Sequence, residues 1–76
     1  MNVLVIEDQT MVRELLALAC GEVLPKAKVS AAGTRAAALA LCRQAPPDLV
    51  LLDLVLPDGD GLDLLPDIFA LAPAAK

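Results

Sequence analysis

Two runs of four apolar residues, Val3-Leu4-Val5-Ile6 and Leu49-Val50-Leu51-Leu52, each end on acid: Glu7-Asp8 after the first, Asp53 after the second. A run without polar alternation has no face to offer to water. Each therefore reads as a strand covered on both sides, the condition of a central strand in a parallel sheet flanked by helices. Such sheets collect their chemistry at the carboxyl ends of their strands. If the two runs are adjacent and parallel, Glu7, Asp8 and Asp53 meet at one edge of the sheet. Three carboxylates gathered there suggest a divalent metal and a reactive carboxylate.

The remaining segments fit the same plan. Thr10 is read as the N-cap of a helix to about Leu24, with Val12, Leu15, Leu16, Ala19 and Val23 inward, Arg13 and Glu14 outward, and Pro25 as the stop. Residues Ala27 to Ala31 make a weaker second strand in which Lys28 and Ser30 alternate with apolar neighbours, as suits an edge. Gly33-Thr34 opens a second helix to about Gln44, Pro46-Pro47 separate it from the third strand at Asp48 to Asp53, and Leu56 to Gly61 is a loop by composition. A third helix is expected from about Leu62 to Leu71, with Pro66 forcing either a kink or a start nearer Leu65. The pattern β-α-β-α-β-α with short, right-handed connections places the first strand between the other two, in the order 2-1-3.

Bulk properties exclude several function classes. A chain of 76 residues holds one small domain, near the size at which a single core is marginally stable. With no histidine, no site can be built on imidazole. A formal charge of −4 opposes the attraction to phosphate backbones on which DNA binding relies, so direct nucleic-acid binding is not expected. No apolar stretch approaches the roughly 20 residues needed to cross a bilayer, and the expected setting is the cytoplasm. Cys20 and Cys42 lack metal-ligand spacing and are read as reduced core thiols.

Taken together, Val3-Leu4-Val5-Ile6-Glu7-Asp8 with Met11-Val12-Arg13, Ala32-Gly33, and Pro47-Asp48-Leu49-Val50-Leu51-Leu52-Asp53 with Leu56-Pro57 and Asp60-Gly61 resemble the N-terminal part of a response-regulator receiver domain of two-component signalling. The resemblance implies a three-layer, flavodoxin-like α/β fold. Residues 1–76 would be a partial receiver, truncated after the third helix, since a receiver has five strands and five helices. By resemblance Asp53 is the phosphoacceptor for a sensor histidine kinase, and Glu7, Asp8, Asp53 and the backbone carbonyl of Val55 hold Mg²⁺. A carboxylate attacking phosphorus faces several negative oxygens, which is why a hard, oxygen-seeking cation belongs there. The family's hydroxyl residue and lysine would fall beyond this chain. Lys26 and Lys28 lie at the wrong edge of the sheet and nothing aims Lys76 at Asp53, so phosphoryl transfer is expected to be slow or absent without those groups.

Blander readings stand beside these. Glu7 and Asp8 could be solvated acids at a strand end, Asp53 could cap a turn, and Asp58 and Asp60 are expected to be turn formers only. An aspartyl phosphatase would need an acid at position 55, which is Val55, and no Gly-x-Gly-x-x-Gly follows the first strand to bind a dinucleotide. The chain reads as a signalling module more than an enzyme, of a kind found in transcriptional regulators. Its alternative is a phosphotransfer-inactive module that self-associates through the exposed edge of the third strand.

Overall fold

The central strand is β1, Asn2–Ile6, and in a computed structural model describing residues 1–76 it lies between β2, Lys28–Ala32, and β3, Leu49–Leu52. Both pairings are parallel, giving the order β2-β1-β3 expected from right-handed crossovers. Helix α1 spans Thr10–Val23 and α2 spans Arg35–Gln44. The order 2-1-3 reverses direction after β2, so these two helices cover opposite faces of the sheet.

Residues Val3 to Ile6 are all at most 2% exposed, as strands covered on both faces require. Pleating sends Leu4 and Ile6 to one side, where they join Ala38 and Cys42 of α2, Leu56, Leu64 and Ile68 in one buried cluster. Val3 and Val5 therefore face α1. Burying an aliphatic side chain of this size contributes about 1.5–3 kcal/mol. Cys20 and Cys42 are free thiols on helices at opposite faces, which rules out a bridge between them.

At the amino end of α2 the hydroxyl of Thr34 accepts a hydrogen bond from Ala37 N–H at 3.1 Å, a local N-cap. The third helix resolves the Pro66 conflict as a delayed start. A 3₁₀ turn at Leu62–Leu64 leads into α3, Leu65–Leu71, and Pro66 falls in the first turn, where a missing N–H leaves no intrahelical bond unmade.

Four expectations need correction. Thr10 does not cap α1: the helix already includes it, Gln9 occupies the cap position, and no side-chain bond is made there. The inward stripe of α1 is also rotated from the one expected. Arg13, Leu16, Ala17 and Cys20 are partly covered, whereas Val12, Leu15, Ala19 and Val23 are exposed, with Met11 and Leu18 beside them. The helix is apolar on more than one side, so periodicity alone does not pick its inner face. The Leu56–Gly61 segment, read as a loop, contains a small hairpin pairing β4, Val55–Leu56, with β5, Gly59–Asp60. Finally, the outer edge of β3 is not wholly bare. Lys76 N–H donates to the Asp48 carbonyl at 3.1 Å and Val50 N–H to the Lys76 carbonyl at 2.8 Å, so the last residue lies along the start of that edge.

Ile68 is 1% exposed at the centre of the cluster that joins α3 to the sheet. Ile68→Ala should lower stability by about 2–5 kcal/mol, read from the urea midpoint; a loss below about 1 kcal/mol would show that this face is loosely packed.

Candidate functional site

The register of β1 on β3 assembles the acids. Ile6 lies opposite Leu52, and the ladder continues one residue further, with Asp53 N–H donating to the Ile6 carbonyl at 2.8 Å. On the other side Glu7 N–H donates to the Ala32 carbonyl at 3.0 Å. Glu7, Asp8 and Asp53 therefore leave their strands at one level, and one carboxylate oxygen from each lies within 4.8 Å of the others. Glu7 and Asp53 are partly buried and Asp8 is exposed. An all-oxygen donor set of this charge suits a hard divalent cation, which takes carboxylates and retains water. The three acids converge at one edge of the sheet, and Asp53 also accepts from the N–H two residues further on, as a turn-capping carboxylate does.

Convergence has an electrostatic cost. Gln9 N–H donates to Glu7 Oε1 at 3.2 Å and by itself lowers the Glu7 pKa. Desolvation, the neighbouring Asp53 charge, and the hydrogen bond and charge of Asp8 outweigh it and leave Glu7 above its ordinary value. A raised carboxyl pKa means that the folded state binds protons more readily than the unfolded one. Ionised Glu7 therefore opposes folding at neutral pH, and the opposition fades as pH falls through the carboxylate range.

Arg13, expected to face solvent, instead turns back over the β1–α1 loop. Its Nη1 donates to the Glu7 carbonyl at 3.0 Å and to the Asp8 carbonyl at 3.4 Å, and its Nη2 to Thr10 Oγ1 at 3.4 Å. A guanidinium can serve several acceptors at once because its donors are fixed in a planar fork. The only sequence signal for this role is a cation about one helical turn after two acids.

The segment after Asp53 is tightly folded back. Gly61 N–H donates to the Leu54 carbonyl at 2.8 Å. In an antiparallel ladder bonded and non-bonded pairs alternate, so the adjoining Val55–Asp60 pair turns its own N–H and C=O groups outward. Val55 N–H accordingly donates to Asp53 Oδ1 at 3.3 Å. Gly61 is buried, and a Cβ there would collide with the carbonyl of Asp53, so no side chain fits at this approach.

Asp58 was expected only to form a turn, but its carboxylate reaches the amino end of α2 and accepts from Arg35 N–H at 2.8 Å and Ala36 N–H at 3.2 Å. The bond from Arg35 is the main reason its pKa lies below the usual value; desolvation works against it, and the Ala36 bond and the Arg35 charge assist. Ionised Asp58 therefore favours folding at neutral pH, and that contribution is lost as pH falls below its ordinary range. Sequence gives no local signal for a cap whose helix begins 23 residues earlier.

A three-layer α/β sheet of order 2-1-3 with acids at the carboxyl ends of adjacent strands defines a flavodoxin-like class, and comparison with known proteins narrows it. The sequence profile described as the response regulator receiver domain matches residues 3–76. The chain belongs to that family. It is 43% identical over 63 residues to the transcriptional regulatory protein KdpE of Mycobacterium tuberculosis, covering 83% of this chain and 27% of that protein. It is 42% identical over 74 residues to protein-glutamate methylesterase/protein-glutamine glutaminase 2 of Anaeromyxobacter dehalogenans, covering 95% and 21%. A crystal structure of a response regulator protein from Burkholderia pseudomallei, with a phosphorylated aspartic acid, calcium ion and citrate, superposes with a TM-score of 0.87 at 29% identity, covering 99% of this chain and 43% of that one. The chain thus spans between a fifth and three-tenths of the curated relatives' length.

Without a divalent cation, Glu7→Gln should raise the melting temperature at pH 7, and the gap from wild type should close as pH is lowered through the carboxylate range. A variant that melts below wild type at pH 7 would show that the Gln9 contact outweighs the repulsion.

Proposed function

We propose that this chain is the N-terminal part of a phosphoacceptor receiver, in which Asp53 takes a phosphoryl group from a sensor histidine kinase with Mg²⁺ held by Glu7, Asp8, Asp53 and the Val55 carbonyl. The observation that carries the reading is the meeting of three carboxylates at the ends of β1 and β3 in a member of the receiver family. The outward carbonyl of Val55 adds a neutral oxygen donor from the adjoining loop.

The chain's own residues account for much of the step. Val55 N–H engages Asp53 Oδ1 and leaves the second oxygen as the nucleophile. That oxygen forms a bond to phosphorus as the bond from phosphorus to the kinase imidazole breaks, giving an aspartyl phosphate, and the leaving imidazole takes a proton from solvent to become a neutral histidine. The Arg13 guanidinium fixes the loop that bears Glu7 and Asp8, so their carboxylates need little reorganisation to face one point. When bound, Mg²⁺ would offset the negative charge of carboxylate and phosphoryl oxygens brought together.

No helix is long and apolar enough to cross a membrane, and we place the protein in the cytoplasm with the rest of a two-component pathway. Its relatives join such domains both to transcriptional regulation and to a methylesterase. Of these we propose transcriptional regulation as the output. A second reading, a phosphotransfer-inactive module that self-associates along β3, draws on the exposed Met11, Leu15 and Leu18 of α1 and on the part of the β3 edge beyond Lys76.

Incubation with a small-molecule phosphodonor and Mg²⁺, followed by intact-mass spectrometry, separates the two. A slowly accumulating, hydroxylamine-labile adduct is expected on the wild type, absent from Asp53→Asn and absent when Mg²⁺ is chelated. Equal labelling of the variant would overturn the assignment of Asp53. An unlabelled wild type of multimeric mass would favour the second reading.

A further inference from the structure

The amino end of α2 has three N–H groups without intrahelical acceptors before Ala38 N–H reaches the Thr34 carbonyl. Thr34 satisfies one of them, that of Ala37. The other two, on Arg35 and Ala36, are satisfied by Asp58, which lies in the turn of the hairpin that follows the phosphoacceptor. Arg35 returns the contact: its Nη1 donates to the Asp58 carbonyl at 3.3 Å. Its side chain also lies where a Cβ on Gly59 would be, 2.6 Å from Nη1, and Gly59 has a φ of +144°, a conformation that side-chain-bearing residues rarely adopt. The contacts that hold the guanidinium are its Nη1 bond to the Asp58 carbonyl and its packing on Gly59, which offset the cost of an Nε buried without a partner.

The hairpin is therefore tied at three places. Leu54 and Gly61 close its base against Asp53, Val55 N–H touches the Asp53 carboxylate, and Asp58 pins its tip to α2. A rotation of the hairpin about its base would carry Val55 with it, and the tip contact opposes that rotation. We infer that Asp58, braced by Arg35, is a positioning residue that orients the Val55 backbone toward the acidic cluster and so sets the affinity of the site for a divalent cation. The inference rests on the cation site proposed above. It makes α2, which contributes no ligand, part of what determines metal binding. Groups that orient ligands from outside the coordination sphere typically change metal affinity by about 10–100-fold.

Calorimetric titration of Mg²⁺ into the whole 76-residue chain tests this, with Thr34→Ala as the matched control. Thr34 and Asp58 cap the same helix end, but only Asp58 reaches the hairpin. Asp58→Ala is expected to weaken Mg²⁺ binding about tenfold or more, while Thr34→Ala leaves the dissociation constant within about twofold despite a comparable fall in melting temperature. Asp58→Asn, which keeps one acceptor oxygen on the helix, should recover most of the affinity and serves if the alanine variant does not fold. An unchanged dissociation constant in both Asp58 variants, or equal weakening by Thr34→Ala, would overturn the positioning role. A wild type that shows no saturable Mg²⁺ binding would instead remove the cation site itself, and the inference with it.

Discussion

The register between β1 and β3 is the constraint on which the site depends. Ile6 opposite Leu52 brings Glu7-Asp8 and Asp53 out of the sheet together, and a slip of one residue would turn one strand's side chains to the other face. That register is held by the core: Leu4 and Ile6 on one side and Val3 and Val5 on the other are buried against opposite layers. The chemistry at the sheet edge is thus located by hydrophobic packing several residues away, and what the acids add is repulsion. The fold carries Glu7 with a raised pKa at neutral pH because burial of the strands that deliver it favours folding by more.

Around this strained cluster the polar contacts do one consistent job, which is to fix backbone. Arg13 binds the carbonyls of Glu7 and Asp8 rather than their carboxylates, leaving the carboxylates free. Asp58 uses its charge on the α2 N–H groups, at the helix end where an anion is favoured, and stays outside the acidic cluster. Gly61 allows the hairpin to close against Asp53. An anionic loop near an anionic site would be repelled; committing the Asp58 charge to a helix end removes part of that difficulty.

Strands and acids were legible in the sequence for a simple reason. An apolar run with no alternation admits few environments, so β1 appears at residues 2–6 as expected and Glu7, Asp8 and Asp53 converge as expected. Helix α1 was less legible because Met11, Val12, Leu15 and Leu18 offer an apolar stripe beside the one that packs, and a periodicity of 3.6 cannot choose between two such stripes. The roles of Arg13 and Asp58 were missed on different grounds. Arg13 acts over six residues and through a side chain long enough to reverse direction, whereas Asp58 acts on a helix that precedes it by more than twenty residues. Local pattern holds no trace of that second contact.

The central claim is that Glu7, Asp8, Asp53 and the Val55 carbonyl form one cation site. Substoichiometric Mn²⁺ added to ¹⁵N-labelled protein would show this directly through paramagnetic broadening of backbone amides. The resonances of residues 7, 8, 53 and 55 are expected to be lost first and to return when excess Mg²⁺ displaces the probe. Broadening that begins instead at Asp58, Asp60 and Asp63, or that Mg²⁺ does not reverse, would contradict it.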